Sequence, residues 1–377
     1  MSEYQYYEFV AVDRALTGKQ QDELRAVSTR GQISPSSFVN EYQWGDLKAD
    51  PQVWMGRYFD AHLYLANWGT HRISLRLPKT VLDLATAERY CAGDAATAWT
   101  TRAHLILEMT SENEDGNEDW IEPGGRLAAM IPIRDELAAG DMRALYLAWL
   151  LVVPELDEDE VEPPVPAGLG ELSGSQQALA NFLRINSDLL AAASEASKPL
   201  TMKAPSAAVL GRWVKALPES DKDELLLRVL RGDGALLRSE MLRRFQGAEP
   251  DQSAEGRRTV KELLVAAERA RTRREGATRK REAAERRRKE QEAAAAQAKR
   301  LDALARNPGK AWKQVDVLIE AKRAKEYDAA VAILDDLRAL AVREEDVAGF
   351  ATRMGRLREQ NIRRPSLTDR FDRAQLP

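Results

Sequence analysis

A long proline-free stretch, rich in charge and alanine, is the feature that most constrains how this chain folds. Residues 257–305 consist mainly of Ala, Arg, Lys and Glu, with a single glycine, Gly276. These residue types favour helix, and pairs such as Glu285 and Lys289, four positions apart, add about 0.2–0.5 kcal/mol each. The sequence therefore predicts one long charged helix over residues 251–306, and fifty helical residues would extend about 75 Å.

The same region carries a local excess of positive charge. Residues 255–300 hold sixteen Lys and Arg against eight Glu, a surplus of +8 in a chain whose net charge is −4. Clustered bases neutralise phosphates and bind nucleic acid with salt-dependent affinity. No aromatic residue interleaves for base stacking, so a solvated spacer or a helix that docks a partner stays open as well. The residues of the nucleic-acid alternative are Arg269, Arg271, Arg273, Arg274, Arg279, Lys280, Arg281, Arg286, Arg287, Arg288 and Lys289.

A change of composition divides the remainder of the chain. Residues 154–174 combine an acidic run with four prolines and repeated glycine, which is typical of an exposed linker. The sequence before it contains all three histidines and the strand-like patterns, and the sequence after it reads as helix. The predicted parts are an α+β domain (1–153), the acidic Pro-rich linker (154–174), a helical domain (175–250), the long charged helix (251–306) and a helical hairpin domain (307–377).

Exposed joints are also the usual sites of proteolytic cleavage. The predicted linker at 154–174 and a second polar, proline-containing joint at 194–206 both separate stretches with regular patterns. We therefore consider control by cleavage in an exposed linker as one hypothesis for this chain.

The N-terminal part alternates strand and helix patterns. Residues 4–13 are rich in aromatic and β-branched side chains and predict a strand. Asp50 and Pro51 are a favourable helix start, and the spacing of apolar residues extends the predicted helix to Asn67. Residues 71–77 alternate apolar and polar, which predicts a strand with one face toward solvent. This alternation favours an antiparallel α+β arrangement over a parallel α/β one.

The stretch from 58 to 78 is the part of the chain that most resembles a catalytic site. His71 could act as a general base if Asp60 held its tautomer, since a histidine base needs such a partner. In the competing interpretation, His71 and Asn67 tie off the end of the helix and have a structural role. No nucleophile stands at a recognisable spacing, so the structural interpretation is favoured and a hydrolase using Asp60 and His71 remains an alternative.

Other site classes have little support in the sequence. The three histidines lack the short helical spacing of a zinc site, and no glycine-rich phosphate loop is present. We therefore predict no metal and no cofactor. The single cysteine, Cys91, gives no disulfide, and no signal peptide or apolar run long enough for a membrane span is apparent. The prediction is a cytoplasmic protein without membrane contact.

Residues 311–341 resemble a helical hairpin of the tetratricopeptide type. Large residues at Trp312 and Tyr327 and small ones such as Ala330 allow two antiparallel helices to approach closely. The pattern occurs once and departs from the 34-residue repeat, so the resemblance implies no peptide groove. It indicates Trp312 and Tyr327 as residues that bind a partner.

The N-terminal eighty residues resemble an uncharacterised family of bacterial proteins. The resemblance is carried by two strings, WGDLKADP at 44–51, which fits W-G-D-x-K-x-D-P, and ANWGT at 66–70. It implies a bacterial origin but supplies no catalytic residues. A role in bacterial defence or regulation is an expectation attached to this resemblance alone.

Taken together, the patterns favour a non-enzymatic interaction protein, an adaptor or effector subunit with one or more protein partners. Two alternatives remain at this point: binding of nucleic acid through the basic helix at 255–300, and the hydrolase that uses Asp60 and His71.

Overall fold

A computed structural model of the chain describes residues 4–113, 124–200, 207–230, 237–246 and 257–377. The chain divides into two compact units, residues 1–274 and residues 275–377. The first unit is built on an antiparallel sheet, and the second consists of helices in the part of the chain described. The predicted α+β N-terminal region followed by an all-α C-terminal half with a long helix is thus confirmed.

Seven strands of the first unit form one sheet in which each neighbouring pair is antiparallel. Across the sheet the order is β2-β3-β1-β4-β5-β7-β6. The strands are β1 (Gln5–Val10), β2 (Gln32–Ile33), β3 (Ser37–Tyr42), β4 (Ala61–Ala66), β5 (His71–Pro78), β6 (Ala96–Thr100) and β7 (His104–Ser111).

Helices cover the sheet and continue to the C-terminal end of the chain. Those of the first unit are α1 (Gly18–Val27), α2 (Pro51–Arg57), α3 (Leu84–Glu88), α4 (Arg126–Met130), α5 (Ile133–Ala138), α6 (Arg143–Val152) with a 3₁₀ turn (Val153–Glu155), α7 (Gly174–Phe182), α8 (Ser187–Ala196), α9 (Ala207–Ala216), α10 (Glu219–Leu230) and α11 (Leu237–Gln246). They are followed by α12 (Val260–Ala305), α13 (Pro308–Glu320), α14 (Ala324–Arg343), α15 (Val347–Gln360) and α16 (Pro365–Arg373).

The helix predicted to run from Pro51 to Asn67 is wrong beyond its first two turns. Asp50 caps α2 as expected, accepting a hydrogen bond from the backbone N–H of Gln52 at 2.8 Å. The helix ends at Arg57, and the next residues form β4 in the middle of the sheet. All six residues of β4 are buried, so its sequence lacks the polar alternation that identifies a half-exposed strand.

Both faces of the sheet are covered, so the predicted solvent face of β5 is also wrong. One face packs against α4 to α8 and the first turns of α12, in a core that includes Leu63, Ile73 and Leu107. The other face packs against α1 and α2 through a second, aromatic core around Phe9 and Trp54. Arg72, Ser74 and Arg76 of β5 point toward this second face, where they bond to Thr110, Glu108 and Asp60. His71 lies on the first face, against Phe182.

The segment 154–174, predicted as an exposed linker, instead packs onto the first unit. Glu162 is 1% exposed, and its carboxylate accepts two hydrogen bonds from the guanidinium of Arg258, both at 2.8 Å, and one from the hydroxyl of Tyr146. The Arg143 guanidinium donates to the carbonyl of Gly168. These internal partners hold a sequence whose composition alone is typical of a linker. The second predicted joint, 194–206, lies outside the described residues from 201 onward.

Helix α12 extends without interruption through Gly276, as the sequence predicts, and the division between the two units falls within it. In the second unit, α13 to α16 share a core of their own, which includes Val315, Leu334, Met354 and Phe371. The predicted hairpin is therefore part of a cluster of four helices.

Within the described residues, no single helix is long and apolar enough to cross a bilayer. One pair of helical stretches, residues 126–138 and 143–155, meets the length and composition criteria together but is bent by 114°.

The burial of Glu162 predicts that this side chain keeps the 154–174 segment folded. In Glu162→Ala, the guanidinium of Arg258 loses its partner, and the free energy of unfolding should fall by about 3 kcal/mol. The rate of proteolytic cleavage within 154–174 should rise in the same variant. Denaturant titration and limited proteolysis with mass spectrometry measure both effects.

Glu158→Ala is the matched control in the same segment. Glu158 pairs with Lys261 at 2.8 Å, but both side chains are more than 60% exposed, so the stability loss should stay below about 1 kcal/mol. Equal sensitivity of the two variants to protease would contradict the assigned role of Glu162.

Candidate functional site

The structure places Asp60 and His71 apart, so it does not bring the two residues of the predicted catalytic pair together. Asp60 precedes β4 and pairs with Arg76, whereas His71 opens β5 five positions before Arg76. At about 3.3 Å per residue, the Cα atoms of His71 and Arg76 are about 16 Å apart along β5. His71 is 3% exposed, its Nδ1 is 2.6 Å from the carbonyl oxygen of Phe182, and its ring stacks on the Phe182 ring. His71 thus fixes α7 against the sheet.

Asp60 is the centre of a buried ionic cluster. Its Oδ1 accepts from the Arg76 guanidinium at 2.8 Å, and its Oδ2 accepts from the backbone N–H groups of Val12 and Asp13 at 2.7 and 2.9 Å. Arg134 lies 3.8 Å from Asp60 and makes a two-fold hydrogen bond with Asp13. Burial alone would raise the pKa of Asp60, but the charges of Arg76 and Arg134 outweigh it and lower the pKa below its ordinary value.

A cleft of about 360 Å³ lies on the aromatic face of the sheet, and we call it the sheet cleft. Its floor comes from β1, β4 and β5, and its walls from the loop before α2, the turn between β4 and β5, and the residue that follows β7. The lining residues are Tyr7, Asp46, Pro51, His62, Tyr64, Trp68, Thr70, Arg72 and Glu112.

His62 is the buried polar group of this cleft. Its Nδ1 is 3.0 Å from the carbonyl oxygen of Glu8, so Nδ1 carries the proton and donates. Its Nε2 is therefore an acceptor, and within the described ranges of the chain it is buried without a hydrogen-bond partner. Burial lowers the pKa of His62 to about 3, with a smaller contribution from the Arg72 charge. The imidazole thus stays neutral at physiological pH. It lies beneath the floor of the cleft, 0% exposed, and its unmatched lone pair costs about 1–3 kcal/mol.

Two tyrosines form the aromatic part of the floor. The rings of Tyr7 and Tyr64 lie 4.8 Å apart between centroids, and the Tyr7 hydroxyl donates to Asp46 Oδ1 at 2.5 Å. The Tyr64 hydroxyl donates to the side-chain oxygen of Gln5 at 2.9 Å. Burial, reinforced by the bond to Asp46, raises the pKa of Tyr7, and burial with the nearby Asp46 charge raises that of Tyr64 to about 12. Both phenols therefore stay protonated near pH 7.

Arg72 supplies the positive charge of the sheet cleft. Its Nε donates to the hydroxyl of Thr110 at 3.1 Å, and its guanidinium lies 5.7 Å from the centroid of the Tyr64 ring. Its Nε also lies 4.0 Å from the Glu108 carboxylate, so its charge is already paired, and the side chain is 34% exposed. Among the described residues its two Nη groups have no hydrogen-bond partner. Glu112 lies at the rim of the cleft. Its side chain is exposed and forms no ion pair with any residue that the structure describes.

The two strings that carry the family resemblance position the walls of the sheet cleft. The first string contributes Asp46 and Pro51, and the second contributes Trp68 and Thr70. The turn between β4 and β5 requires glycine at Gly69, where φ is +98° and an added Cβ would lie 2.1 Å from the carbonyl oxygen of residue 113. Both strings therefore contribute side chains to the lining of the sheet cleft.

The basic residues predicted to bind nucleic acid are only partly available. Arg273 and Arg274 pair with Glu195 and Asp188 of α8. Along α12, glutamates one turn away pair with Arg279, Arg286, Arg288 and Lys289, and Arg271 also has a partner. Four of the predicted bases are exposed and form no ion pair among the described residues, namely Arg269, Lys280, Arg281 and Arg287.

The two aromatic residues predicted to bind a partner lie in the core of the second unit. Trp312 and Tyr327 are each 7% exposed and contact the apolar cluster of α13 to α16. The guanidinium of Arg353 lies 4.5 Å from the Trp312 ring centroid and covers it further. Both side chains are therefore used in the packing of the second unit, and their predicted contact with a partner stays a prediction.

Sequence reasoning missed the sheet cleft because it read β4 as helix. Side chains alternate between the two faces of a strand, so His62 and Tyr64 of β4 lie on the same face. Tyr64 is directly paired with Arg72 of the neighbouring strand β5, which places Arg72 on that face as well. The two strings were the available signal, since they flank the aromatic residues of β4 on either side.

Comparison with protein-family models, with curated proteins and with solved structures gives no match to this chain. Among the described residues, no group of three or more His, Cys, Asp or Glu side chains is arranged to hold a metal ion.

The lowered pKa of Asp60 predicts a specific pH dependence of stability. In Asp60→Asn the free energy of unfolding at pH 7 should fall by about 3 kcal/mol, because the buried guanidinium of Arg76 loses its counter-charge. A carboxylate with a lowered folded-state pKa stabilises fully above its unfolded pKa near 4, and this contribution is lost as the pH falls through the folded value. The difference between wild type and variant should therefore shrink below about pH 4, as measured by urea unfolding.

Asp83→Asn is the control for this experiment. Asp83 caps α3 through the backbone N–H of Thr86 at 2.8 Å and also has a lowered pKa, but asparagine is an equally good cap. Its effect should stay within about 0.5 kcal/mol. A pH-independent effect of Asp60→Asn would contradict the electrostatic account.

Proposed function

We propose that this chain is a non-enzymatic interaction protein, an adaptor or effector subunit whose N-terminal unit recognises a small polar ligand in the sheet cleft. The observation that carries this proposal is the sheet cleft itself, whose lining combines the rings of Tyr7, Tyr64 and Trp68 with the charged side chains of Asp46, Arg72 and Glu112. Ligand sites combine an apolar wall with a few placed polar groups, and this cleft has that composition.

The protonation states of the cleft favour recognition over reaction. A general acid or base works best with a pKa near the working pH. His62 titrates at about 3 and Tyr64 at about 12, and the pKa of Tyr7 is raised as well. These groups therefore hold fixed hydrogen-bonding roles at neutral pH, which suits binding without proton transfer.

We further propose that the C-terminal helices contact a protein partner through their charged surfaces, since Trp312 and Tyr327 are used internally. Under this proposal one chain binds a small ligand with its N-terminal unit and a protein with its C-terminal unit. Control by cleavage would then need prior unfolding of the packed 154–174 segment.

Ligand retention tests the proposal directly. The full chain is dialysed against a mixture of cellular metabolites, and bound molecules are identified by mass spectrometry after denaturation. Wild type should retain a small molecule unchanged, and Trp68→Ala, which removes a wall of the sheet cleft, should lower retention at least tenfold. Trp44→Ala is the matched control, because Trp44 is 72% exposed and does not line the cleft.

Two outcomes would overturn this proposal. One is retention that is equal in Trp68→Ala and wild type. The other is chemical conversion of the molecule over time that is lost in His62→Phe, since a catalytic histidine would then lie in the cleft.

A second candidate function is nucleic-acid binding through the long helix. It is supported by the exposed bases without ion pairs on α12, of which Lys280, Arg281 and Arg287 lie within the second unit. We expect weak binding to duplex DNA or RNA at about 50 mM salt. Replacement of these three residues by Gln should reduce the slope of log affinity against log salt by up to about 3.

The control for the second candidate removes the same charge elsewhere. Lys310, Lys313 and Lys325 are exposed bases of the C-terminal helices, and their replacement by Gln should leave the salt slope unchanged. Absence of binding at about 50 mM salt, or equal loss in both triple variants, would eliminate nucleic-acid binding by α12.

A further inference from the structure

We propose that the C-terminal end of α10 is a docking surface for a basic amphipathic helix of a protein partner. The surface consists of four exposed apolar side chains with carboxylates beside them. It shares no residue with the lining of the sheet cleft, and it adds a protein contact on the first unit to the one proposed for the C-terminal helices. We call it the α10 surface, and its apolar members are Leu226, Leu227, Val229 and Leu230.

The apolar members of the α10 surface are exposed to an extent that is unusual for leucine and valine. The exposed fractions are 62% for Leu226, 48% for Leu227, 56% for Val229 and 82% for Leu230. Leu225 of the same helix is only 7% exposed, so α10 has a separate buried side that attaches it to the first unit. Single exposed apolar residues are common on protein surfaces, whereas a contiguous group of them marks an interaction site.

Helical spacing makes this group contiguous. Residues that are three or four positions apart are neighbours on the surface of a helix. Leu226 therefore adjoins both Val229 and Leu230, and Leu227 adjoins Leu230. The four side chains form one patch over about the last turn and a half of α10. Apolar residues at this spacing are also what a docked amphipathic helix presents to its receptor.

Carboxylates beside the patch define the charge of its occupant. Asp223 precedes Leu226 by three positions, and Glu224 precedes Leu227 by three, so both adjoin the patch. Asp223 and Glu224 are exposed, and neither forms an ion pair with any residue that the structure describes. Glu219 adds a further exposed carboxylate in the first turn of the helix.

The bases of α10 have partners elsewhere. Lys222 donates to the backbone carbonyl of Lys215 at 3.0 Å, and Arg228 pairs with Glu240 at 2.9 Å. The negative charge beside the α10 surface is therefore available to a partner. Complementary charge selects between partners and speeds their association, so this edge favours a partner with lysine or arginine next to its apolar residues.

Other occupants match only part of the α10 surface. A second copy docked through the same patch would cover the apolar residues and leave the carboxylates of both copies without a counter-charge. An anionic lipid surface or an acidic peptide would be repelled by Asp223 and Glu224. A basic amphipathic helix is the simplest partner that matches both the apolar patch and the charge.

Isothermal titration calorimetry of the full chain with three helical peptides tests the proposal. Each peptide has about eighteen residues, or about five turns, with leucine along one face. The other face carries lysine in the first peptide, glutamine in the second and glutamate in the third. We expect a Kd below about 100 μM for the lysine peptide and at least tenfold weaker binding of the glutamate peptide.

Two double variants test the two parts of the α10 surface. Leu226→Ser with Leu230→Ser should weaken binding of the lysine peptide at least tenfold, whereas the circular dichroism spectrum and the unfolding midpoint should stay unchanged because both side chains are exposed. Asp223→Asn with Glu224→Gln should weaken binding of the lysine peptide and leave binding of the glutamine peptide unchanged.

Val317→Ser with Ile362→Ser is the matched control. It removes two apolar side chains of the second unit that are 70% and 74% exposed, and it should bind the lysine peptide as wild type does. This control separates the α10 surface from a general attraction of the peptide to exposed apolar residues.

The inference is overturned if the lysine peptide does not bind, if the glutamate peptide binds as tightly, or if Leu226→Ser with Leu230→Ser binds as wild type does. Sedimentation equilibrium checks for a second copy as the occupant. A wild-type dimer that becomes monomeric in Leu226→Ser with Leu230→Ser would also overturn the assignment to a partner helix. None of these results bears on the sheet cleft, which the metabolite-retention experiment tests separately.

Discussion

The covering of the sheet on both faces is the constraint on which the rest of the first unit depends. A polar side chain that points from a covered strand needs a partner inside the protein. Ser74, 0% exposed, donates to Glu108 at 2.8 Å, and Arg76 is matched by Asp60. Among the residues that the structure describes on this face, the Nε2 of His62 is a buried acceptor left unmatched. The sheet cleft thus lies beside the part of this face where a buried polar atom, His62 Nε2, lacks an internal hydrogen-bond partner among the described residues.

The same principle explains the segments that look like linkers or spacers. Glu162 lies in a stretch whose composition is acidic and rich in proline, yet it is fixed by Arg258 from the start of the long helix. Farther along, Arg274 binds Asp188 of α8 with two hydrogen bonds, at 2.8 and 2.9 Å. Charged residues with partners far away in sequence have a structural role that a local count of charges does not reveal.

The sequence predicts those features whose cause is local. The cap of α2 and the helix propensity of α12 each depend on neighbouring residues, and each is found as predicted. The alternation of residues 71–77 likewise identifies β5 as a strand, although not the covering of both its faces. The features it misses depend on tertiary burial. The strand β4 is apolar because both of its faces are covered, and Trp312 is buried in the core that the C-terminal helices share, beside Phe350. The sheet cleft can be predicted only after residues 61–66 are recognised as a strand, because only then is His62 placed beside Ser74 of β5.

The ionic cluster around Asp60 has a consequence for how the seven strands choose their alignment. Its members come from four places in the chain, at residues 13, 60, 76 and 134. In a sheet, a slip of one residue moves every side chain to the opposite face. A slipped β5 would press the Arg76 guanidinium into the apolar layer and leave Arg134 facing a leucine. Apolar packing already opposes such a slip, because Ile73, Leu75 and Leu77 would leave their core. The buried charges add to this cost, so the ionic cluster reinforces the native register of β5.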